Sequence, residues 1–280
     1  MRLVTLKSPN GPIAAVERDG QRFIITDTSG QPYRDIGDLL QRESDWQSVA
    51  EKAGEAASAD WPLLRPVLDP GVVVCVGLNY RKHILEMGRE LPSVPTYFGK
   101  FSRSLTDPEA IVPLPKASDM VDYEGELCVV IGAGGRDISE DRAWDAVAGL
   151  TLLNDVSMRD FQKRSIQFLA GKMWERSTPV GPAMVTADEF SDFAKAEVIT
   201  KVNGEQRQRA PMSDLVFGVP QLIADMSQII TLRPGDLIAT GTPGGVGTAM
   251  KPPSYLKPGD VVEISMDPIG VLRNRFDRVS

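Results

Sequence analysis

One histidine and two cysteines are all the imidazole and thiol that the 280 residues offer. That scarcity argues against a zinc site, which draws on both ligand types. Two thiols also make no disulfide framework. Cys75 and Cys128 each sit inside an apolar, strand-like run, where a small buried thiol is the simpler assignment and a reducing compartment the expected setting. Positive charge is not in excess either: 31 Lys and Arg stand against 38 Asp and Glu, without a basic stripe, so nucleic acid is not an expected partner. No apolar run approaches membrane-spanning length, and the opening "MRLVTLKSPNG" has no signal-peptide core. The expectation is a cytoplasmic protein without membrane association. What the chain does have is 25 glycines and 21 prolines, punctuating many short runs. Its length can bury a substantial core, in one large domain or a large one with a small one.

Residues 1–68 read as a small N-terminal domain. "AAVERDGQRFIIT" holds two strand-like runs around Asp19-Gly20, a good hairpin signal, and "DWQSVAEKAGEAASADW" reads as a helix fading into an Ala/Ser-rich connector. A Pro-Gly turn then feeds a buried strand from Val72 to Val76, and the catalytic domain is expected over residues 69–280. Within it, Ser139 can N-cap a helix over "EDRAWDAVA" that Gly149 ends. "LTLLNDV" is strand-like, and "VPQLIADMSQII", residues 219–230, has helical periodicity with proline near its start. "LRPGDLIAT" (232–240) and "LKPGDVVEI" (256–264) repeat one device, a Pro-Gly turn feeding a strand. The implied fold class is α/β and β-rich, with peripheral helices.

The chemistry starts in "VDYEGELCVVIG", residues 121–132, where Asp122, Glu124 and Glu126 alternate before an apolar run. Side chains two apart on a strand share a face, so Glu124 and Glu126 point together, with Leu127 and Val129 opposite. Two such carboxylates repel unless protonated, hydrated or bridged by a cation. A solvated strand edge satisfies that condition as well as a metal site does. "LLNDVSMRD" adds Asp155 at the end of another apolar strand. Glu124, Glu126 and Asp155 together would make an all-oxygen site for Mg²⁺, Mn²⁺ or Ca²⁺, with open positions for substrate. Asp122 reads as a strand-end group or as one that supports the ligands from behind. His83 and Glu86 in "GLNYRKHILEMG" are helical neighbours, either a carboxylate-supported general base or a surface pair. Lys172 in "FLAGKMWERSTPVGP" could stabilise an oxyanion or reach the surface. "ATGTPGGVGTAM" lacks the signatures of both nucleotide loops, but offers Thr242 and backbone N–H groups to a carboxylate.

In this order, "GLNYRKHILE", "PTYFGKFSRSL", "DYEGELCVVIG", "NDVSMRDFQ", "GKMWERSTPVGP" and "LRPGDLIATGTPGGVG" resemble the fumarylacetoacetate hydrolase family over roughly residues 70–280. The resemblance implies a β-rich roll of mixed sheets with a small N-terminal domain, usually a homodimer. It implies Mg²⁺ or Mn²⁺ on Glu124, Glu126 and Asp155, and Ca²⁺ as a possible occupant in crystals. His83 and Glu86 would activate water on a lid segment, Lys172 would be catalytic, and Arg159, Gln162 and Thr242 would touch the substrate. Met158 and the absence of tryptophan before Gly171-Lys172 depart from the common pattern and leave substrate size open. The expected activity is hydrolysis of a C–C bond in a 2,4-dioxo acid such as an acylpyruvate. Oxaloacetate-type decarboxylation or hydroxymuconate-type isomerisation on the same metal–enolate chemistry is the alternative, and a non-catalytic binding protein the remote one.

Overall fold

The computed structural model describes every residue except Met87, Arg89, Val279 and Ser280, and leaves the Glu86 side chain outside the description. Strands β1 (Arg2–Ser8), β2 (Gly11–Arg18) and β3 (Gln21–Ile24) form an antiparallel meander. Asp19 and Gly20 link β2 to β3 with φ of 51° and 75°. A two-residue turn matched to the strand twist needs positive φ at both central positions, which the Asp-Gly pair supplies. Helices α1 (Ile36–Arg42) and α2 (Trp46–Glu51) follow, and Asp35 caps α1 by accepting from the Asp38 amide.

The rest of the main sheet comes from β4 (Val73–Gly77), β5 (Thr96–Lys100), β6 (Gly125–Ile131), β7 (Val147–Asn154), β8 (Thr178–Val185) and, after β9 (Glu197–Val202) and β10 (Glu205–Pro211), from β11 (Leu237–Ala239). Neighbours run in the order β3-β2-β1-β8-β7-β6-β11-β4-β5, with short strands at the margins completing twelve. The N-terminal meander is therefore continuous with this sheet, through the pairing of Arg2 with Val185 and Leu3 with Met184. Strand β6 lies well inside the sheet, and all seven of its residues are buried. Its register with β7 sets Gly125 opposite Asn154, so Glu124, just before β6, lies beside Asp155, just after β7.

A second sheet joins β10, β9, β12 (Val261–Met266) and β13 (Gly270–Asp277), with Ile111–Pro113 at its far edge. It covers the face of β6 that carries Leu127, Val129 and Ile131, packing Val198, Val202, Val262, Ile264 and Phe276 against them. Cys128 and Val130 on the other face join the core beneath α1 and α2. Burying each such aliphatic side chain contributes about 1.5–3 kcal/mol, so the strand is pinned from both sides. The expected helix at 219–230 forms as α6 (Val219–Ile229), after α3 (Arg81–Glu86), α4 (Arg159–Gln162) and α5 (Leu169–Lys172).

The helix expected after Ser139 is instead a 3₁₀ segment, Glu140–Ala146, and the Ser139 side chain makes no capping bond. Gly149 lies inside β7, where a Cβ would fall 2.7 Å from both Met184 Cγ and the Val185 carbonyl. Close approach of two strands, rather than helix termination, is what demands glycine there. Among the described residues no helix is long and apolar enough to cross a membrane.

Candidate metal centre

The Glu-Gly-Glu spacing has a packing reason. A Cβ at Gly125 would collide with Thr200 Oγ1 and crowd Ile264, so the second sheet presses directly on the backbone between the two glutamates. Buried Gln208 on β10 accepts from the Gly125 amide at 3.0 Å. Asn154 accepts from the Glu124 amide at 3.0 Å, and the Asp155 amide donates to the Glu124 carbonyl at 2.8 Å. With the backbone fixed in this way, carboxylate oxygens of Glu124, Glu126 and Asp155 lie within 4.8 Å of one another, all three side chains buried. The structure thus brings together the three acids singled out in the sequence.

Three cations are embedded among them. Lys172 Nζ sits 2.7 Å from Glu124 Oε2 and 2.7 Å from Asp155 Oδ2. Lys100 Nζ lies 2.7 Å from Asp155 Oδ1. Arg159 contacts Glu124 Oε1 at 2.6 Å through Nη1 and Asp122 Oδ2 at 2.8 Å through Nε. Glycine again permits the placement: a Cβ at Gly171 would strike Gln162, so α5 can rest on α4 only without one.

The electrostatics separate the acids. Burial alone would raise the Asp155 pKa, but the positive charges of Lys100 and Lys172 outweigh it and hold the group below its usual value. Glu126 goes the other way. Burial first, then the charges of Asp155 and Glu124, lift its pKa well above the usual carboxylate value. The Gly241 amide donates to Glu126 Oε2 at 2.8 Å, a smaller pull in the opposite direction. Burial works against the Lys172 ammonium, yet Asp155 and Glu124 raise its pKa overall, so it stays charged.

The cluster is therefore short of positive charge at Glu126, where a third acid shares a lysine already committed to two others. An all-oxygen donor set with that deficit fits a hard divalent cation held by Glu124, Glu126 and Asp155. A thiolate-preferring ion has no ligand here, because the Cys75 thiol is buried and its pKa is lifted by burial and by Asp155.

Beside the triad opens a cavity of about 430 Å³, walled by His83, Phe98, Phe168, Arg159, Lys172 and Thr242, with Gln162 and Glu124 also on its surface. His83 stands on α3, half-buried, and Glu86 ends the same helix with its side chain outside the described residues. Gln162 accepts from Arg159 Nη1 at 2.9 Å. Among the described residues, buried Nη2 of Arg159 has no hydrogen-bond partner. The Thr242 hydroxyl is engaged within the protein, donating to the Gly125 carbonyl at 3.1 Å and accepting from Gln208 at 2.7 Å.

Asp122 is fully buried and supports the site from behind, one of its two sequence readings: besides Arg159 it accepts from the amides of Gly247 (2.7 Å) and Thr248 (2.9 Å), tying the glycine-rich loop to the acid strand. Two contributors were not among the sequence candidates. Lys100 had a faint signal, a lysine at the inward end of an aromatic strand, whereas Gln208 had none inside "EQRQRAP".

A strand-rich fold that concentrates three acids, an embedded lysine and the chain's histidine beside one cavity defines an enzyme centre suited to a divalent ion and a small anionic substrate. The model of the fumarylacetoacetate (FAA) hydrolase C-terminal domain matches residues 72–277, and the chain belongs to that family of enzymes. The oxaloacetate tautomerase YisK of Bacillus subtilis (strain 168) is 44% identical over 98% of this chain and 89% of its own length. The mitochondrial oxaloacetate tautomerase FAHD2A of Homo sapiens is 39% identical over 98% and 91%. Among solved structures, the fumarylacetoacetate hydrolase of psychrophilic Exiguobacterium antarcticum superposes over the whole of both chains with a TM-score of 0.87 at 35% identity. The maleylpyruvate hydrolase of Sphingobium sp. SYK-6, in complex with manganese(II) ion and pyruvate, does so with 0.80 at 27%.

Proposed function

We propose that this protein is a divalent-metal-dependent tautomerase of oxaloacetate or a closely related 2-oxo diacid, working with Mg²⁺ or Mn²⁺. The observation that carries the reading is the pair of oxaloacetate tautomerases matched over nearly the whole chain at 44% and 39% identity, against 35% for the fumarylacetoacetate hydrolase and 27% for the maleylpyruvate hydrolase. The C–C hydrolase activity expected from the sequence gives way to the isomerase-type alternative, which uses the same acids without consuming water.

Ketonisation of an enol moves one proton from the C2 oxygen to C3 and breaks no carbon–carbon bond. A divalent ion held by Glu124, Glu126 and Asp155 would supply Lewis acidity to the 2-oxo oxygen. Arg159, with one guanidinium nitrogen that has no hydrogen-bond partner among the described residues, is placed to bind a substrate carboxylate. Lys172 Nζ, 2.7 Å from Glu124 and Asp155 at the edge of the cavity, is placed to stabilise charge at the C2 oxygen. His83 on the cavity wall is placed to give C3 its proton in ketonisation and to take it back in the reverse direction, while the C2 hydroxyl proton passes to solvent water, which restores the proton to His83. Phe98 and Phe168 flank that path with apolar surface that limits water.

The test compares two reactions in one preparation loaded with Mn²⁺. Ketonisation of enol-oxaloacetate, followed by ultraviolet absorbance, should be accelerated, stopped by a chelator and slowed strongly in His83→Ala. Cleavage of acetylpyruvate should be far slower. Rapid acetylpyruvate cleavage with no effect on ketonisation would overturn the reading and restore the hydrolase.

A further inference from the structure

Each acid of the triad has one oxygen secured by a neighbour. The Gly241 amide donates to Glu126 Oε2 at 2.8 Å, Glu124 Oε1 is ion-paired with Arg159 Nη1 at 2.6 Å, and Asp155 Oδ1 is ion-paired with Lys100 Nζ at 2.7 Å without an aligned hydrogen bond among the described residues. The other oxygens of Glu124 and Asp155 converge on one point, where Lys172 Nζ lies 2.7 Å from both. Lys100 has no room to retreat. Its side chain is wholly buried, and Nζ also donates to Thr178 Oγ1 at 2.8 Å and to the Lys172 carbonyl at 2.7 Å. It is the only one of the three restraints made by a side chain bound to Asp155 alone among the acids.

We propose that Lys100 is a positioning residue that keeps Asp155 a single-oxygen ligand and thereby biases the centre toward Mg²⁺ or Mn²⁺ over Ca²⁺. Mg²⁺ demands near-octahedral coordination with short, single-oxygen bonds, whereas Ca²⁺ accepts more ligands and readily takes both oxygens of a carboxylate. Freed from Lys100, Asp155 can turn both oxygens to the ion, an arrangement that favours the larger cation. Removing a buried positive charge also strengthens the attraction for every divalent ion. That effect is common to all of them and cancels in the ratio of two affinities, so selectivity is the quantity to read.

The experiment is calorimetric titration of Mn²⁺ and of Ca²⁺ into metal-stripped protein, without substrate. In Lys100→Met the affinity ratio of Ca²⁺ to Mn²⁺ should rise roughly 10- to 100-fold over wild type, the scale on which groups behind a metal ligand act. Thr178→Val keeps the charge but removes one of the lysine's anchors, and should move the ratio the same way by less. An unchanged ratio in a folded Lys100→Met protein overturns the proposal. If that variant does not fold, Thr178→Val and the crystal structure of Mn²⁺-loaded wild type decide. Asp155 bound through one oxygen, with Lys100 on the other, sustains the proposal; both Asp155 oxygens on the ion, or an unmoved Thr178→Val ratio, defeats it. None of these readings depends on which reaction the enzyme performs.

Discussion

Two stretches of this chain begin almost identically and end in different kinds of place. "LRPGDLIATG" (232–241) and "LKPGDVVEIS" (256–265) both pass from leucine through a Pro-Gly turn, with Gly235 and Gly259 at φ 88° and 93°, to an aspartate that accepts from the amide three residues back. In the first, Asp236 is buried and also accepts from the Val72 amide at 2.9 Å. The strand it starts, β11, is buried at every residue and threads between β6 and β4. Two residues later the Gly241 amide reaches Glu126. In the second, Asp260 is half-buried and accepts from Asn203 Nδ2, and β12 alternates between buried and half-buried residues. The same turn chemistry delivers a strand in both cases. The residues after the aspartate decide whether that strand joins the centre of the sheet and ends at the acids or builds the covering layer.

The sharpest way to break the parallel is at its last position. A Cβ on Gly241 would fall 2.9 Å from the Val76 carbonyl and 3.0 Å from Asn79 Cβ, at a φ of 99° that side chains disfavour. Gly241→Ala should lower Mn²⁺ affinity by at least about tenfold, because it displaces the amide that holds Glu126. Ser265→Ala at the matching position of the second stretch should leave affinity unchanged; calorimetry on both variants checks the contrast.

Next in size is the aspartate of the first stretch. Asp236→Ala strands two backbone N–H groups, those of Arg233 and Val72, and should cost about 2–4 kcal/mol in urea unfolding. Burial lifts the Asp236 pKa, outweighing the pull of the Arg233 and Val72 amides in the other direction. The folded chain then keeps this proton at a pH where the unfolded chain has released it. Its contribution is fully present below the ordinary aspartate value and is lost as pH rises through the elevated one. The cost of Asp236→Ala should accordingly be greater at about pH 4.5 than at about pH 7.5.

How much of this was legible in the sequence depends on range. The hairpin at Asp19-Gly20, the 219–230 helix and the strand leading to Asp155 are local patterns, and they formed. The three acids were legible because strand alternation and two short motifs place them. Ser139 and Gly149 misled because glycine at a helix end and glycine beneath a neighbouring strand look the same in sequence. Lys100 and Gly241 meet the acids across 55 and 115 positions of chain, Gln208 meets the Gly125 amide between two of them across 83, and no local periodicity encodes such contacts. Lys100 came nearest to visibility, as the only buried residue of β5.

A smaller effect tests whether the turns themselves are equivalent. Gly235→Ala and Gly259→Ala each force a side chain into positive φ and should each cost about 1–2 kcal/mol. A Cβ at Gly259 meets nothing within 4 Å, and one at Gly235 only ordinary contacts from 3.5 Å outward, so backbone strain should dominate in both. Unequal costs, measured by urea unfolding, would mean that burial reaches back into the turn.

The smallest expected change is at the second aspartate. Asp260 accepts from the Lys257 amide at 2.7 Å and from Asn203 Nδ2 at 2.8 Å, and both bonds are exposed to solvent. Water can replace the carboxylate at each donor, so Asp260→Ala should cost less than about 1 kcal/mol, well below Asp236→Ala. Because the two aspartates share a turn, a partner amide at i−3 and a succeeding strand, the difference between the two costs isolates what burial adds to one hydrogen-bonding device. Equal losses would place the stability of both stretches in the turn, and the route from β11 to Glu126 would then need some other anchor.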